Sequence, residues 1–79
     1  MSMNTEIKWR HDGDSSYHGV SAGGYSMEAS RDVQQRWRWW VWHNGEQISE
    51  WDPANRPETG EKAKEMCTLA VQKHKEKHQ

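Results

Sequence analysis

Tryptophan and arginine are the residues of this chain with the strongest potential for binding chemistry. Six tryptophans are present among 79 residues, whereas average usage would give about one. Both side chains bury large areas, and both are enriched at the energetic centres of protein interfaces. The pattern therefore predicts a partner-binding surface, for which the strand alternation described below selects five residues: Arg36, Arg38, Trp40, Trp42 and Trp51.

The same residues also have a purely structural interpretation. Tryptophan and arginine pairs on neighbouring strands can stabilise a small sheet without any partner, and a cation–π contact between Arg38 and Trp51 would be one example. A second alternative is that the segment around Ile7 and Trp9 folds over this surface and covers it. Both alternatives stay open on the sequence alone.

Residues for catalysis or metal binding do not form a recognised pattern. His74 and His78 have the spacing that places two imidazoles on one side of a helix, but no third ligand is indicated and the intervening lysines repel a cation. Cys67 has no base beside it and falls among apolar positions, so we expect a small buried side chain. Nucleophilic triads, paired carboxylates and phosphate-binding loops are missing. We therefore expect no enzymatic activity, no metal and no cofactor.

Composition and charge exclude several functional classes. Eleven Lys and Arg against twelve Asp and Glu give a formal net charge of −1, without the basic excess of a general nucleic-acid coat protein. A single cysteine excludes an intramolecular disulfide framework. The N-terminal segment lacks the order of a signal peptide, and no run approaches the roughly 18 apolar residues of a membrane span. The sequence thus predicts a cytoplasmic protein without membrane contact.

The stronger of two hairpin signals is His-Asn-Gly-Glu at residues 43–46. Asn-Gly favours a two-residue type I′ turn, because both central residues of that turn need positive φ. The turn predicts three cross-strand pairs: Trp42 with Gln47, Val41 with Ile48, and Arg38 with Trp51. Alternation then assigns one face to Trp37, Trp39, Val41 and Ile48. The other face receives Arg36, Arg38, Trp40, Trp42, Gln47, Ser49 and Trp51.

The second hairpin signal is Gly23-Gly24, which predicts another two-residue turn. This turn pairs Val20 with Met27 and places both on the same face as Tyr25. The two hairpins give four strands, near residues 17–22, 25–30, 36–43 and 46–51. Residues 5–10, in which the apolar residues Ile7 and Trp9 occupy alternate positions, either add an edge strand to the sheet or form an N-terminal extension.

A helix is predicted to follow the prolines at positions 53 and 57, which interrupt regular structure. Thr59 is the expected N-cap. Apolar residues then recur at spacings of three and four, which gives one helical stripe: Ala63, Met66, Cys67, Ala70, Val71 and His74.

The predicted fold is α+β, with a four-stranded antiparallel sheet of two hairpins packed on one C-terminal helix. Residues 1–16 form an N-terminal extension or edge strand, and residues 17–79 form a single ββββα domain. The helix should cover the face with Val41 and Ile48, because burying unpaired arginines on the other face would be very costly. Trp37 and Trp39 are then core residues. Three tryptophans are left on a face without cover: Trp40, Trp42 and Trp51.

The succession of these features resembles that of small uncharacterised proteins encoded by bacteriophages and prophages. It covers residues 17–75 and consists of a Gly-Gly hairpin, Trp37-x-Trp39-x-Val41, the Asn44-Gly45 turn, Ile48, a Pro-containing linker and an Ala-rich amphipathic helix. The resemblance implies a protein that binds and blocks a host factor, such as a CRISPR effector. It transfers no site residues.

Taken together, the sequence predicts a non-enzymatic binding protein that holds a host protein on its tryptophan and arginine face. One alternative is a homodimeric structural module that uses the same face. Another is a module for single-stranded nucleic acid, in which bases stack on tryptophan and arginine meets phosphate. We rank the nucleic-acid alternative lower, because the arginines near this face, including Arg56, are balanced by nearby acids: Glu46, Glu50 and Asp52.

Overall fold

Five antiparallel strands and one helix form the structure, a computed structural model that describes residues 6–77. The elements are β1 (Ile7–His11), β2 (Ser16–Ser21), β3 (Tyr25–Arg31), β4 (Trp37–His43), β5 (Glu46–Glu50) and α1 (Gly60–Lys77). The sheet order is β1-β2-β3-β4-β5, so each strand pairs with its neighbours in sequence. The α+β class is confirmed, but the sheet has five strands rather than four, because residues 7–11 pair along β2 as an edge strand.

The β4–β5 hairpin begins at its turn as predicted and then departs from the predicted register. Asn44 and Gly45 both have positive φ, and Trp42 pairs with Gln47. A β-bulge then shifts the pairing by one residue, so that Val41 lies opposite Ser49 rather than Ile48. The predicted pairing of Arg38 with Trp51 is also wrong, because the Trp51 N–H donates to the Trp39 carbonyl oxygen at 2.9 Å.

The β2–β3 hairpin contains a loop of three residues instead of two. Ser21 pairs with Tyr25, which leaves Ala22, Gly23 and Gly24 in the loop. The predicted pairing of Val20 with Met27 is therefore wrong by one position, and Gly19 is the partner of Met27. Because side chains alternate along a strand, this shift moves Val20 to the opposite face, where it is 57% exposed.

The core lies between α1 and one face of the sheet. Its buried side chains come from β3, β4 and α1: Tyr25, Met27, Ala29, Trp37, Trp39, Val41, Ala63, Cys67 and Val71. The prediction that Trp37 and Trp39 are core residues is confirmed, and their large rings replace aliphatic volume that the sequence lacks. Ile7 and Trp9 of β1 pack against the same cluster from its edge.

Gly19 allows β1 to join this core. A Cβ atom at this position would lie 2.9 Å from Ile7 Cγ2 and 3.0 Å from Trp9 Cε3, closer than van der Waals contact allows. The absence of a side chain on β2 therefore creates the space that the two β1 side chains occupy.

The helix begins and packs as predicted. The Thr59 hydroxyl accepts a hydrogen bond from the Lys62 N–H at 3.1 Å, which is the expected N-cap interaction. The buried positions of α1 are small residues spaced three or four apart, and Ala63, Cys67 and Val71 are fully buried. No helix within the described residues combines the length and the apolarity needed to cross a membrane.

Candidate functional site

The sheet face turned away from α1 carries most of the predicted binding residues, and we call it the open face. Two rows of paired residues cross it. The first row contains Lys8, Val20, Ser26, Trp42 and Gln47, and the second contains Arg10, His18, Glu28, Trp40 and Glu50. No helix or strand of residues 6–77 lies over these rows, because α1 packs against the opposite face.

The segment around Ile7 and Trp9 does not cover the open face. Both side chains point to the α1 side and pack against the core, so this alternative is wrong for the described part of the N-terminal segment. Residues 1–5 lie outside the described residues. Trp40 and Trp42 are half-buried, and only neighbouring side chains of the sheet cover them. No other element of residues 6–77 lies over the two rings.

Trp42 lines a shallow groove of about 380 Å³ on this face. Val20, which is 57% exposed, lies in the same groove two strands away. Ser26 separates the two positions in the register and is small enough to leave the space between them open. The groove thus joins an indole ring and an exposed valine into one apolar surface.

Trp40 lies between two carboxylates. Glu28 on β3 and Glu50 on β5 are its direct cross-strand partners. Glu28 Oε1 is 3.3 Å from His18 Nε2, and the other ring nitrogen of His18 is 2.8 Å from Asp12 Oδ2. The row through Trp40 therefore contains carboxylates and a hydrogen-bonded histidine, whereas the row through Trp42 contains no carboxylate and has Lys8 as its one charged residue.

Three arginines meet at the end of the open face nearest the β3–β4 turn, and we call them the arginine cluster: Arg36, Arg38 and Arg56. Each has a guanidinium nitrogen close to Asp32 Oδ2, at 3.7, 3.9 and 3.8 Å respectively. The guanidinium carbon of Arg38 also lies 5.7 Å from the centroid of the Trp40 ring. This contact connects the cluster to the tryptophans.

Asp32 holds the turn that positions the cluster. Its Oδ1 accepts hydrogen bonds from the backbone N–H groups of Gln34 at 2.8 Å and Arg36 at 3.0 Å. The bond from Arg36 is the main cause that lowers the pKa of Asp32 below its ordinary value; partial burial opposes it, and the bond from Gln34 and the arginine charges reinforce it. Sequence reasoning missed Asp32, although an Asp at the start of a polar connection is a known turn signal.

The structure brings four of the five predicted site residues together. Arg38, Trp40 and Trp42 follow one another on the open face of β4, and Arg36 joins them through Asp32. Trp51 does not lie with them, because the β-bulge turns it toward the core, where it packs partly buried. The predicted contact between Arg38 and Trp51 is replaced by Arg56, whose guanidinium carbon lies 4.4 Å from the Trp51 ring centroid.

The acids expected to balance the arginines are not their partners. Within residues 6–77, no ion pair joins the arginine cluster to Glu46, Glu50 or Asp52, and all three arginines face Asp32 instead. The positive charge at this end of the open face is therefore greater than the sequence indicated.

The remaining candidate groups are explained by packing. Burial raises the pKa of the Cys67 thiol to about 12, as the predicted buried position implies. His74 Nδ1 lies 2.7 Å from the Tyr25 hydroxyl oxygen, and His78 is outside the described residues. Among residues 6–77, no group of three or more His, Cys, Asp or Glu side chains is arranged to hold a metal ion.

Comparison with known protein families, with curated proteins and with solved structures finds no match to this chain.

Proposed function

We propose that this protein is a non-enzymatic binding protein that holds another protein on the open face, with Trp40 and Trp42 as anchors. The observation that carries the proposal is the position of these two rings on the sheet face opposite α1, with no helix or strand of residues 6–77 over them. Folding uses Trp37 and Trp39 in the core. The two tryptophans on the open face therefore provide apolar area that a partner can cover.

The charges around Trp40 favour a protein partner over a nucleic acid. Glu28 and Glu50 flank the ring on both sides, so a base stacked on Trp40 would bring its phosphates close to two carboxylates. A protein surface can match alternating acidic, apolar and basic groups, whereas a phosphate backbone cannot.

A bacterial host protein is the partner that we propose. The resemblance to small phage and prophage proteins supports this choice, and it also supports inhibition of a host or defence factor as the consequence of binding. The proposal on the open face does not depend on this origin, because it follows from the position of the rings.

Affinity capture of partners from a lysate, followed by binding measurements with each purified partner, tests the proposal. The tagged protein would be used to capture partners from a bacterial lysate, and each captured protein would then be purified and its Kd measured by calorimetry. We expect the Trp40→Ala, Trp42→Ala double variant to bind at least about 30-fold more weakly, since a hot-spot residue contributes about 2 kcal/mol or more.

Leu69→Ala is the matched control. Leu69 is an apolar side chain of α1 that is 47% exposed, and it lies outside the open face. Its replacement should leave the Kd unchanged. Equal binding by the wild type and the double variant, with both folded by circular dichroism, would contradict the proposal.

A further inference from the structure

The arginine cluster has more positive charge than its protein environment neutralises. Its three guanidinium groups share a single carboxylate, that of Asp32. No second Asp or Glu of residues 6–77 forms an ion pair with any of the three. The cluster and Asp32 together therefore carry a net charge of about +2 at neutral pH, since arginine is always protonated.

The hydrogen-bonding capacity of the cluster is also largely unused. The distances of 3.7 to 3.9 Å to Asp32 Oδ2 are ion-pair distances, longer than those of hydrogen bonds. Oδ1 of Asp32 is already occupied by two backbone N–H groups. The Nε atoms of Arg38 and Arg56 are shielded from solvent and have no acceptor among the described residues. A ligand cannot reach these two shielded atoms, but the Nη groups of the three arginines also have no hydrogen bond to a described residue, and anionic oxygens of a ligand would satisfy them.

The cluster is accessible to a ligand. The side chains of Arg36, Arg38 and Arg56 are 55%, 37% and 20% exposed. Arg38 lies next to Trp40, so a ligand that covers this ring also reaches the cluster. The apolar part of the open face and its basic end are thus parts of one continuous surface.

We propose that the arginine cluster binds paired carboxylates of an acidic segment of the protein partner, while apolar side chains of that partner cover Trp40 and Trp42. This inference rests on the proposed function and names the chemistry of the partner. Planar guanidinium groups bind carboxylates through paired hydrogen bonds, which gives both affinity and orientation.

The distribution of charge on the open face favours such a segment over a nucleic acid. Three guanidinium groups meet in the arginine cluster, whereas Lys8 and Arg10 lie singly at the β1 edge. Glu28 and Glu50 flank Trp40. A nucleic acid carries a phosphate at every nucleotide and would meet these carboxylates as it crossed the face. The acidic residues of a protein segment can be confined to the part that contacts the arginine cluster, so they do not meet Glu28 and Glu50.

Titration of the isolated protein with small peptides tests the inference without the natural partner. A ¹⁵N-labelled sample would be titrated with end-blocked triglutamate and, separately, with end-blocked triglutamine, at constant ionic strength. We expect saturable shifts of the Nε–Hε resonances of Arg36, Arg38 and Arg56 with triglutamate only. Arg38→Gln should weaken the apparent affinity about tenfold, which corresponds to the loss of one charge-assisted contact.

Arg10→Gln is the matched control, because Arg10 is 75% exposed on the same face at the opposite edge of the sheet. It should leave the triglutamate affinity unchanged. The inference is overturned if triglutamine shifts the same resonances equally, or if Arg10→Gln weakens binding as much as Arg38→Gln, which would indicate unspecific charge attraction. Tighter binding of a ten-residue oligothymidylate than of triglutamate would also overturn it, in favour of a nucleic acid.

This titration and the capture experiment can fail separately. If triglutamate does not bind but partner capture depends on Trp40 and Trp42, the arginine cluster has no ligand role and the proposed function stands. If triglutamate binds but capture does not depend on the two tryptophans, the proposed function is wrong and the inference about the protein partner falls with it.

Discussion

Asp32 links the β3–β4 turn to the arginine cluster, because its two oxygens have different partners. Oδ1 accepts two backbone hydrogen bonds within the turn, and Oδ2 faces the three guanidinium groups. Gln35 adopts a positive φ in the same turn, so the backbone here is in a conformation that most residues avoid. The single carboxylate thus holds an otherwise unfavourable turn and reduces repulsion among three cations.

Asp32→Asn separates these two roles and should make the stability of the protein less dependent on acid pH. The amide oxygen can still accept the backbone hydrogen bonds, but the negative charge is lost. The pKa of Asp32 is lower in the folded protein than its ordinary value of 3.8. Its stabilising contribution is therefore complete above that value and is lost as the pH falls through the folded pKa.

Thermal unfolding between pH 2.5 and 7 checks this prediction. The wild type should have the higher Tm at pH 7, and the gap to Asp32→Asn should close as the pH falls below about 4. Asp14→Asn is the control, because Asp14 lies in the exposed β1–β2 loop, and its Tm should follow the wild type throughout. A gap that stays constant over the whole pH range would show that the charge of Asp32 does not contribute to stability.

At the scale of the elements, one extra residue in a loop or a bulge decides which face of the sheet a side chain occupies. The three-residue β2–β3 loop places Val20 on the open face, and the β-bulge in β4–β5 places Trp51 on the α1 side. A shift of one position exchanges the two faces of a strand, because the side-chain repeat of a strand is two residues. Both shifts improve the core: they place Gly19 on the α1 side of β2, beside the side chains of Ile7 and Trp9, and add the Trp51 ring to the cluster.

Gly19→Val tests the packing of β1 on β2. The new side chain would overlap the positions of Ile7 and Trp9, so we expect the free energy of unfolding to fall by about 1–3 kcal/mol, the usual cost of overpacking. Urea unfolding followed by tryptophan fluorescence measures the change.

Ser26→Val serves as the control for Gly19→Val, because it adds a similar side chain at an exposed position of the open face. Its effect should stay within about 0.5 kcal/mol. If both substitutions destabilise the protein equally, Gly19 is not required for the packing of Ile7 and Trp9.

For the molecule as a whole, the two edges of the sheet decide whether two copies can pair strand to strand, a route to a dimer that is separate from the open face. β5 is five residues long and contains the bulge at Ile48, which makes it a poor template for pairing. β1 has a regular backbone, but antiparallel pairing of two copies about Trp9 would place Lys8 of one copy opposite Arg10 of the other. Like charges directly opposite each other destabilise a strand pair.

Because neither edge favours strand pairing and we assign the open face to a different protein, we expect the protein to be a monomer in solution at tens of micromolar. Sedimentation equilibrium at several concentrations gives the mass directly. A concentration-dependent rise to twice the monomer mass would contradict this expectation. If Trp40→Ala, Trp42→Ala then abolished the rise, the open face would be a homodimer interface instead of a surface for a different protein.

Several features of the fold were predictable because they depend on residues close together in the chain. Asn44-Gly45 specifies its turn through φ, Thr59 caps α1 through its own hydroxyl, and the alternation along β4 separates Trp37 and Trp39 from Trp40 and Trp42. The α1 stripe follows from helical periodicity.

The sequence by itself determined the α+β class, the helix with its cap, and the separation of Trp40 and Trp42 from the core tryptophans of β4, although it also placed Trp51 on the uncovered face. Only the tertiary structure decided the registers that move Val20 and Trp51 and the meeting of Asp32 with Arg56. The physical reason is the distance along the chain between the interacting residues. Turns, caps and periodicity depend on a few adjacent residues, whereas strand register and charge clusters depend on packing between segments far apart in the chain.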